Sequence, residues 1–154
     1  MEKKNKFMQM ALELAKRCSK FNDIPVGCII VNSKKEIIGS GYNSCIMKND
    51  PTAHAEVLAI RMACVKENTL ILDQSSLYVT LEPCMMCEHL IRETRIKNVF
   101  FGAYNLSYRK KKIIQNSRSN IFFSESKYSF NGGFEEKECK KLLKNFFQNL
   151  RKKT

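Results

Sequence analysis

The chain has 154 residues, with 27 Lys and Arg against 15 Asp and Glu, a formal charge of +12, and 44% hydrophobic residues. That length suits one compact domain needing no disulfide scaffold, and the composition excludes collagen, coiled coil and wholesale disorder. The longest apolar stretches, such as Val26 to Val31, fall far short of the roughly 20 residues that cross a bilayer, and the opening Met1-Glu2-Lys3-Lys4 has no secretory core, so a cytoplasmic protein with no membrane partner is expected.

In chain order, Phe7, Ala11, Leu14, Ala15 and Cys18 recur at the spacing of an amphipathic helix, which predicts a helix from about Lys4 to Lys20. The runs Val26 to Val31 and Ile37 to Tyr42, separated by polar Asn32-Ser33-Lys34-Lys35, predict a β-hairpin. Asp50-Pro51-Thr52 is a helix-start signal for a second helix over Ala53 to Glu67. Leu77 to Leu81 reads as a buried strand ending at Glu82-Pro83, with Pro83 opening a helix over Cys84 to Arg92. Val99 to Gly102 is another strand, Asn105 to Phe134 is the least readable part, and Cys139, Leu142, Leu143, Phe146, Phe147 and Leu150 line one stripe of a last helix at about 134–152. Helices and strands alternating in this way predict a single α/β domain over 1–154, a layered sandwich.

Seven cysteines in a chain read as cytoplasmic point to metal or redox chemistry before structural disulfides. Cys84 and Cys87 form a CxxC; each of the other five reads as a small buried hydrophobe. The charge points toward a polyanion such as nucleic acid, because clustered cations release counterions from phosphates. Arg109 to Lys112 and Lys140 to Lys153 hold basic residues and no acid, although the Lys and Asn bias of an AT-rich genome would produce the same total.

The sharpest constellation is His54-Ala55-Glu56 at one predicted helix start and Pro83-Cys84-Met85-Met86-Cys87 at another. A helix N-terminus favours thiolates, so Cys84 and Cys87 offer two soft donors and His54 a third. Such a set suits Zn²⁺ with its fourth position open, the mark of a catalytic site. His89 would face away from both cysteines, roughly 140° from Cys84 and 200° from Cys87 around a helix, and Cys64 lies about 15 Å along its helix from His54. Cys45 remains open as a fourth ligand. Glu56, two residues from a ligand, stands where a general base takes a proton from water. A thioredoxin-like redox pair and a non-catalytic zinc module that binds RNA are the competing readings of the same motif.

HxE followed by PCxxC is the signature of zinc-dependent nucleobase deaminases. The fuller strings Ile24-Pro25-Val26-Gly27, Gly41-Tyr42-Asn43, Asp50-Pro51-Thr52-Ala53-His54-Ala55-Glu56 and Thr80-Leu81-Glu82-Pro83-Cys84-Met85-Met86-Cys87 closely resemble the bacterial tRNA-specific adenosine deaminases of the cytidine/deoxycytidylate deaminase superfamily. The resemblance implies a three-layer α-β-α sandwich with a central mixed sheet. It implies hydrolytic deamination of adenosine to inosine at the wobble position of a tRNA, read through the anticodon stem-loop of an arginine tRNA, by a homodimer with one Zn²⁺ per subunit. His54, Cys84 and Cys87 then bind the zinc, zinc-activated water is the nucleophile, Glu56 is the proton shuttle, and Asn43, Pro25, Val26 and Ala55 meet the substrate. After Ala103 the family carries an acidic residue and a small-residue turn where this chain reads Tyr104-Asn105-Leu106-Ser107-Tyr108-Arg109-Lys110. The expected RNA contacts are therefore Tyr104, Tyr108, Arg109, Lys110, Lys111, Phe146 and Phe147, with at least one of the two phenylalanines in the core. A free-base or nucleotide deaminase of the same fold, acting on guanine or cytosine, is the rival.

Overall fold

A computed structural model describes residues 2–110 and 128–153. Helix α1 spans Glu2–Cys18 and runs into one 3-10 turn at Ser19–Phe21; strands β1 (Gly27–Val31) and β2 (Ile37–Tyr42) follow. Then come α2 (Cys45–Lys48), α3 (Ala55–Glu67), β3 (Ser76–Leu81), α4 (Met85–Glu93) and β4 (Asn98–Ala103). A helical stretch at 106–110, β5 (Ser129–Asn131) and α5 (Glu136–Lys153) complete the described elements.

The strands form one sheet in the order β2-β1-β3-β4-β5. β1 pairs antiparallel with β2 and β3, whereas β3, β4 and β5 run parallel, which makes the sheet mixed. Alternation in the central strands divides the core in two, because successive side chains point to opposite faces. Cys28 and Ile30 of β1, Leu77 and Val79 of β3, and Val99 and Phe101 of β4 pack with Ala55, Ala59, Ile60 and Ala63 of α3 and Ile91 of α4. Ile29, Val31, Tyr78 and Phe100 pack on the other face with Phe7, Met8, Ala11 and Leu12 of α1 and Cys139 of α5. β1 is buried along its whole length, as a strand covered on both faces should be. The expected three-layer α-β-α sandwich is the architecture found.

Small residues set how closely α3 approaches the sheet. A Cβ on Gly39 would lie 2.2 Å from the Ala59 carbonyl oxygen, and one on Gly41 would lie 2.5 Å from that of Ala55. Glycine on β2 against the alanine stripe of α3 therefore brings the start of α3, with His54 and Glu56, down onto the sheet. Three helical segments end on an asparagine with left-handed φ, Asn22 (59°), Asn49 (50°) and Asn68 (50°), which gives part of the asparagine content a structural use.

Beyond shifts of one or two residues at other ends, one helix start and two short elements differ from the sequence reading. The helix expected from Ala53 starts at Ala55, because Asp50 Oδ1 accepts hydrogen bonds from Thr52 N (2.8 Å) and Thr52 Oγ1 (2.7 Å) and closes a separate turn first. The four-residue α2 was not expected; Asp23, 3% exposed, holds it by accepting from the Ile46 and Met47 amides. Strand β5 lies in the stretch that reads poorly, having three residues and no buried face of its own.

Candidate active site

The site sits where the carboxyl ends of β3 and β4 meet the amino ends of α3 and α4, the usual place for a ligand in an open α/β sheet. His54 is the N-cap of α3 and Cys84 the N-cap of α4, and neither side chain makes a capping hydrogen bond. Both turn instead toward the space between the helices. His54 Nδ1 lies 3.6 Å from Cys84 Sγ and 3.5 Å from Cys87 Sγ, and the three donor atoms are all within 4.8 Å of one another. Tetrahedral zinc with Zn–S near 2.3 Å and Zn–N near 2.0 Å requires an N to S separation of about 3.6 Å. The donor set therefore fits zinc in chemistry and in spacing. Among the described residues this group consists of His54, Cys84 and Cys87; the Cys45 thiol instead faces the Pro51 carbonyl at 3.9 Å.

With its N-cap side chain turned away, α3 is capped from a different loop. Asn43 Oδ1 accepts from the Ala55 amide at 2.9 Å, while the Asn43 backbone N–H donates to the Val26 carbonyl. The first bond orients the Asn43 carboxamide, the second anchors its backbone, and the side-chain NH₂ is left as the end that can serve a ligand. They also use the Ala55 N–H, and Ala55 is fully buried. Pro25 and Val26 are likewise buried, at the head of β1.

Glu56 is 4% exposed, in the first turn of α3. Burial pushes its carboxyl up to about 7, against opposing help from its own backbone amide. Cys84 is pulled down to about 4, first by the hydrogen bond from Cys87 and then by His54, while Cys87 moves up because it keeps the proton that Cys84 gives up. His54 is raised in turn, chiefly by its bond to Cys84. Both cysteine shifts favour the thiolate form of Cys84, the form that binds a metal.

The residues after β4 are stitched to both ends of the CxxC stretch. Glu82 accepts from the Asn105 amide at 3.0 Å and from Arg109 Nε at 2.7 Å and 3.1 Å. Tyr108 is 8% exposed and its hydroxyl donates to Glu88, which also pairs with Arg92 at 3.0 Å. Tyr108 therefore stands otherwise than expected of an RNA contact: its ring is packed and its hydroxyl engaged. Tyr104 and Lys110 are exposed, as is Arg109 despite its pairing; Lys111 lies outside the described residues. On α5, Phe146 is half-buried and Phe147 is 43% exposed, so the buried stripe of that helix is Cys139 with partial help from Leu142 and Leu143. Asp23, Glu82 and Glu88 had no role in the sequence reading; Ile46, Asn105 and Tyr108, which they hold, lie 20 or more residues from them, and no local pattern announces such pairs.

A helix-flanked mixed sheet, a His/Cys/Cys donor set and a buried glutamate beside it define the class of zinc hydrolases built on the nucleobase-deaminase fold. A family profile described as "Cytidine and deoxycytidylate deaminase zinc-binding region" matches residues 1–103. The tRNA-specific adenosine deaminase of Haemophilus influenzae is 41% identical over 150 residues, covering 95% of this chain and 84% of that protein. The tRNA-specific adenosine deaminase of Bacillus subtilis is 34% identical over 147 residues, covering 96% and 90%. A structure solved in work on A-to-I editing by tRNA:A34 deaminases superposes with a TM-score of 0.77 at 31% identity, covering 89% of this chain and 98% of that one. A guanine deaminase of Bacillus subtilis superposes with a TM-score of 0.64 at 34% identity, over 77% of this chain and 82% of its own. The chain belongs to the zinc-binding cytidine and deoxycytidylate deaminase family, in the branch of the tRNA-specific adenosine deaminases.

Proposed function

We propose that this protein hydrolyses adenosine to inosine at the wobble position of a tRNA, releasing ammonia. The observation that carries this reading is the extent of the likeness to the tRNA deaminases, which takes in 95% of the chain and so includes the basic C-terminal helix.

His54, Cys84 and Cys87 would hold the zinc. When bound, the metal supplies the Lewis acidity that lets water act as a nucleophile near neutral pH. Glu56 accepts a proton from the water that attacks C6 and delivers it to N1 of the ring; it then takes the second proton from the hydroxyl now on C6 and hands it to the departing amine, so that the C6–N bond breaks, ammonia leaves and the C6 carbonyl of inosine forms. A carboxyl held near 7 is suited to give and to take a proton in one cycle. The fixed Asn43 carboxamide orients the nucleotide through its NH₂ group, and Pro25, Val26 and Ala55 form the buried backing of that position.

The substrate element is an anticodon stem-loop, of an arginine tRNA in the family resemblance, recognised as a splayed single strand while Lys and Arg side chains hold its backbone. Lys110 and the lysines of α5 are the exposed cations for that task. The working unit is a single-domain chain paired as a homodimer in the cytoplasm. Met62 (50% exposed), Val65 (82%) and Met86 (39%) on α3 and α4 offer the apolar surface such a dimer would cover.

The test is inosine formation in an anticodon hairpin with adenosine at the wobble position, run beside free adenine, guanine, cytosine and their nucleosides. Inosine in the hairpin alone, abolished by Glu56→Ala with zinc content unchanged, is the expected result. Ammonia released from a free base with no inosine in the hairpin would transfer the reading to the free-base enzymes.

A further inference from the structure

We propose that Arg109 presents the outer face of its guanidinium as a stacking shelf for an unpaired nucleobase flanking the reacting adenosine, with Tyr104 behind it. This rests on the tRNA reading above and assigns Arg109 to a base face where its charge alone would suggest a phosphate.

The shelf stands at the site. Leu81 and Ala103 are register partners in the parallel pair β3/β4, and the Glu82 amide donates to the Ala103 carbonyl at 2.8 Å. The two strands therefore leave the sheet side by side, one leading to Cys84 and the other to Tyr104. Arg109 folds back over that exit. Its guanidinium carbon lies 4.5 Å from the Tyr104 ring centre, and its Nε reaches both Glu82 oxygens. Tyr104 is supported in turn by a T-shaped contact with Phe101, ring centres 5.1 Å apart, and by Gly132, where a Cβ would lie 2.8 Å from Tyr104 Cε1.

Three features favour a base. Glu82, only 13% exposed, already balances the Arg109 charge, so a phosphate would have to compete with a carboxylate for it. The Arg109 side chain is nevertheless 48% exposed, and among the described residues its hydrogen bonds run through Nε. A guanidinium held over an aromatic ring offers its planar outer side, a surface on which unstacked bases settle. Finally, the segment is ordered before any ligand arrives: Asn105 Oδ1 accepts from the Tyr108 amide, the Asn105 amide donates to Glu82, and the Tyr108 hydroxyl donates to Glu88. Stacking on a shelf already in place costs little further ordering.

The experiment measures kcat and KM for inosine formation in the anticodon hairpin at several salt concentrations. It compares wild type, Arg109→Lys, Arg109→Gln and Tyr104→Leu, with hairpins made abasic at each nucleotide flanking the wobble adenosine. Arg109→Lys keeps the charge and loses the plane; it is expected to raise KM about tenfold, with kcat and the salt dependence of KM unchanged. One abasic hairpin should raise the wild-type KM by the same factor and give no further loss in Arg109→Lys. Tyr104→Leu, which leaves the Glu82–Arg109 pair intact, should raise KM in the same direction. If Arg109→Lys matches wild type while Arg109→Gln flattens the slope of log KM against log salt by about 0.7, Arg109 is a phosphate contact and the shelf is overturned. Equal KM for every variant while wild type turns over also removes the shelf and leaves the tRNA reading standing. A wild type that neither binds nor deaminates the hairpin removes both.

Discussion

Replacing Asn43 separates a structural role from a substrate role at one side chain. The Ala55 amide lies at the start of α3 in a fully buried residue, and its partner is Asn43 Oδ1 at 2.9 Å, because the N-cap residue His54 makes no capping bond. Asn43→Ala leaves that N–H buried without an acceptor, a loss of about 2 kcal/mol, between the usual cost of a missing cap and that of an unsatisfied buried donor. For a chain of this size that corresponds to a fall in Tm of roughly 4–8 °C. Asn43→Asp keeps an oxygen in the same place, and its negative charge faces the positive end of a helix, so its Tm should stay within about 2 °C of wild type. It loses only the NH₂ donor. The two variants are compared by thermal unfolding at fixed excess zinc and by kcat/KM for inosine formation. Asn43→Asp should be stable and about 10- to 100-fold slower, the cost of an unmet hydrogen bond to substrate. Full activity in a stable Asn43→Asp would refute the substrate role of the amide. An unchanged Tm in Asn43→Ala would refute the capping argument.

Glu56→Gln should abolish inosine formation while the bound zinc, measured by a chromogenic chelator, stays at the wild-type level, since Glu56 lies outside the donor group. The same substitution has a signature in the metal-free chain. Because burial raises Glu56 from 4.5 to about 7, its ionised form costs the fold about 3 kcal/mol above pH 7, and that cost fades as pH falls to 4.5. Glu56→Gln should therefore be the more stable chain above pH 7 and equal to wild type below pH 4.5 in denaturant unfolding; a gap independent of pH would contradict the assignment. Removing zinc by chelation, or Cys84→Ser, should lower Tm by roughly 10 °C under conditions where zinc exceeds its Kd a thousandfold, and a melt indifferent to chelator would count against the metal site. Gly27→Ala should destabilise strongly, because its Cβ would lie 1.9 Å from the Ala11 carbonyl oxygen and α1 would have to leave the sheet; circular dichroism of the purified variant reports the loss.

Much of the fold was legible because its long elements carry strong periods. The helix expected from Lys4 appears as α1, the hairpin as β1 and β2, and the stripe from Cys139 as α5, although only Cys139 of that stripe is fully buried. The short elements α2 and β5 were not legible, since four and three residues hold no period and depend on distant partners such as Asp23. The donor residues were legible for a different reason. A CxxC and an HxE are local strings whose chemistry follows from residue type and spacing. Tyr108 shows the limit: an aromatic among basic residues reads as a surface group, and only the distant Glu88 makes it a packed one.

The amino-acid sequence by itself determined the chemistry on offer: three zinc donors, a glutamate two residues from one of them, alternating elements for a layered sheet, and an excess of cations. Tertiary structure alone decided which of these groups meet. His54 joins Cys84 and Cys87 across 30 and 33 residues of chain, Asn43 caps a helix 12 residues on, and Glu82 claims Arg109 across 27. Donor type is a property of a residue. Distance and orientation between donors far apart in the chain come from the sheet register and from the close seating of α3 on the glycines of β2, and a linear pattern carries no record of either.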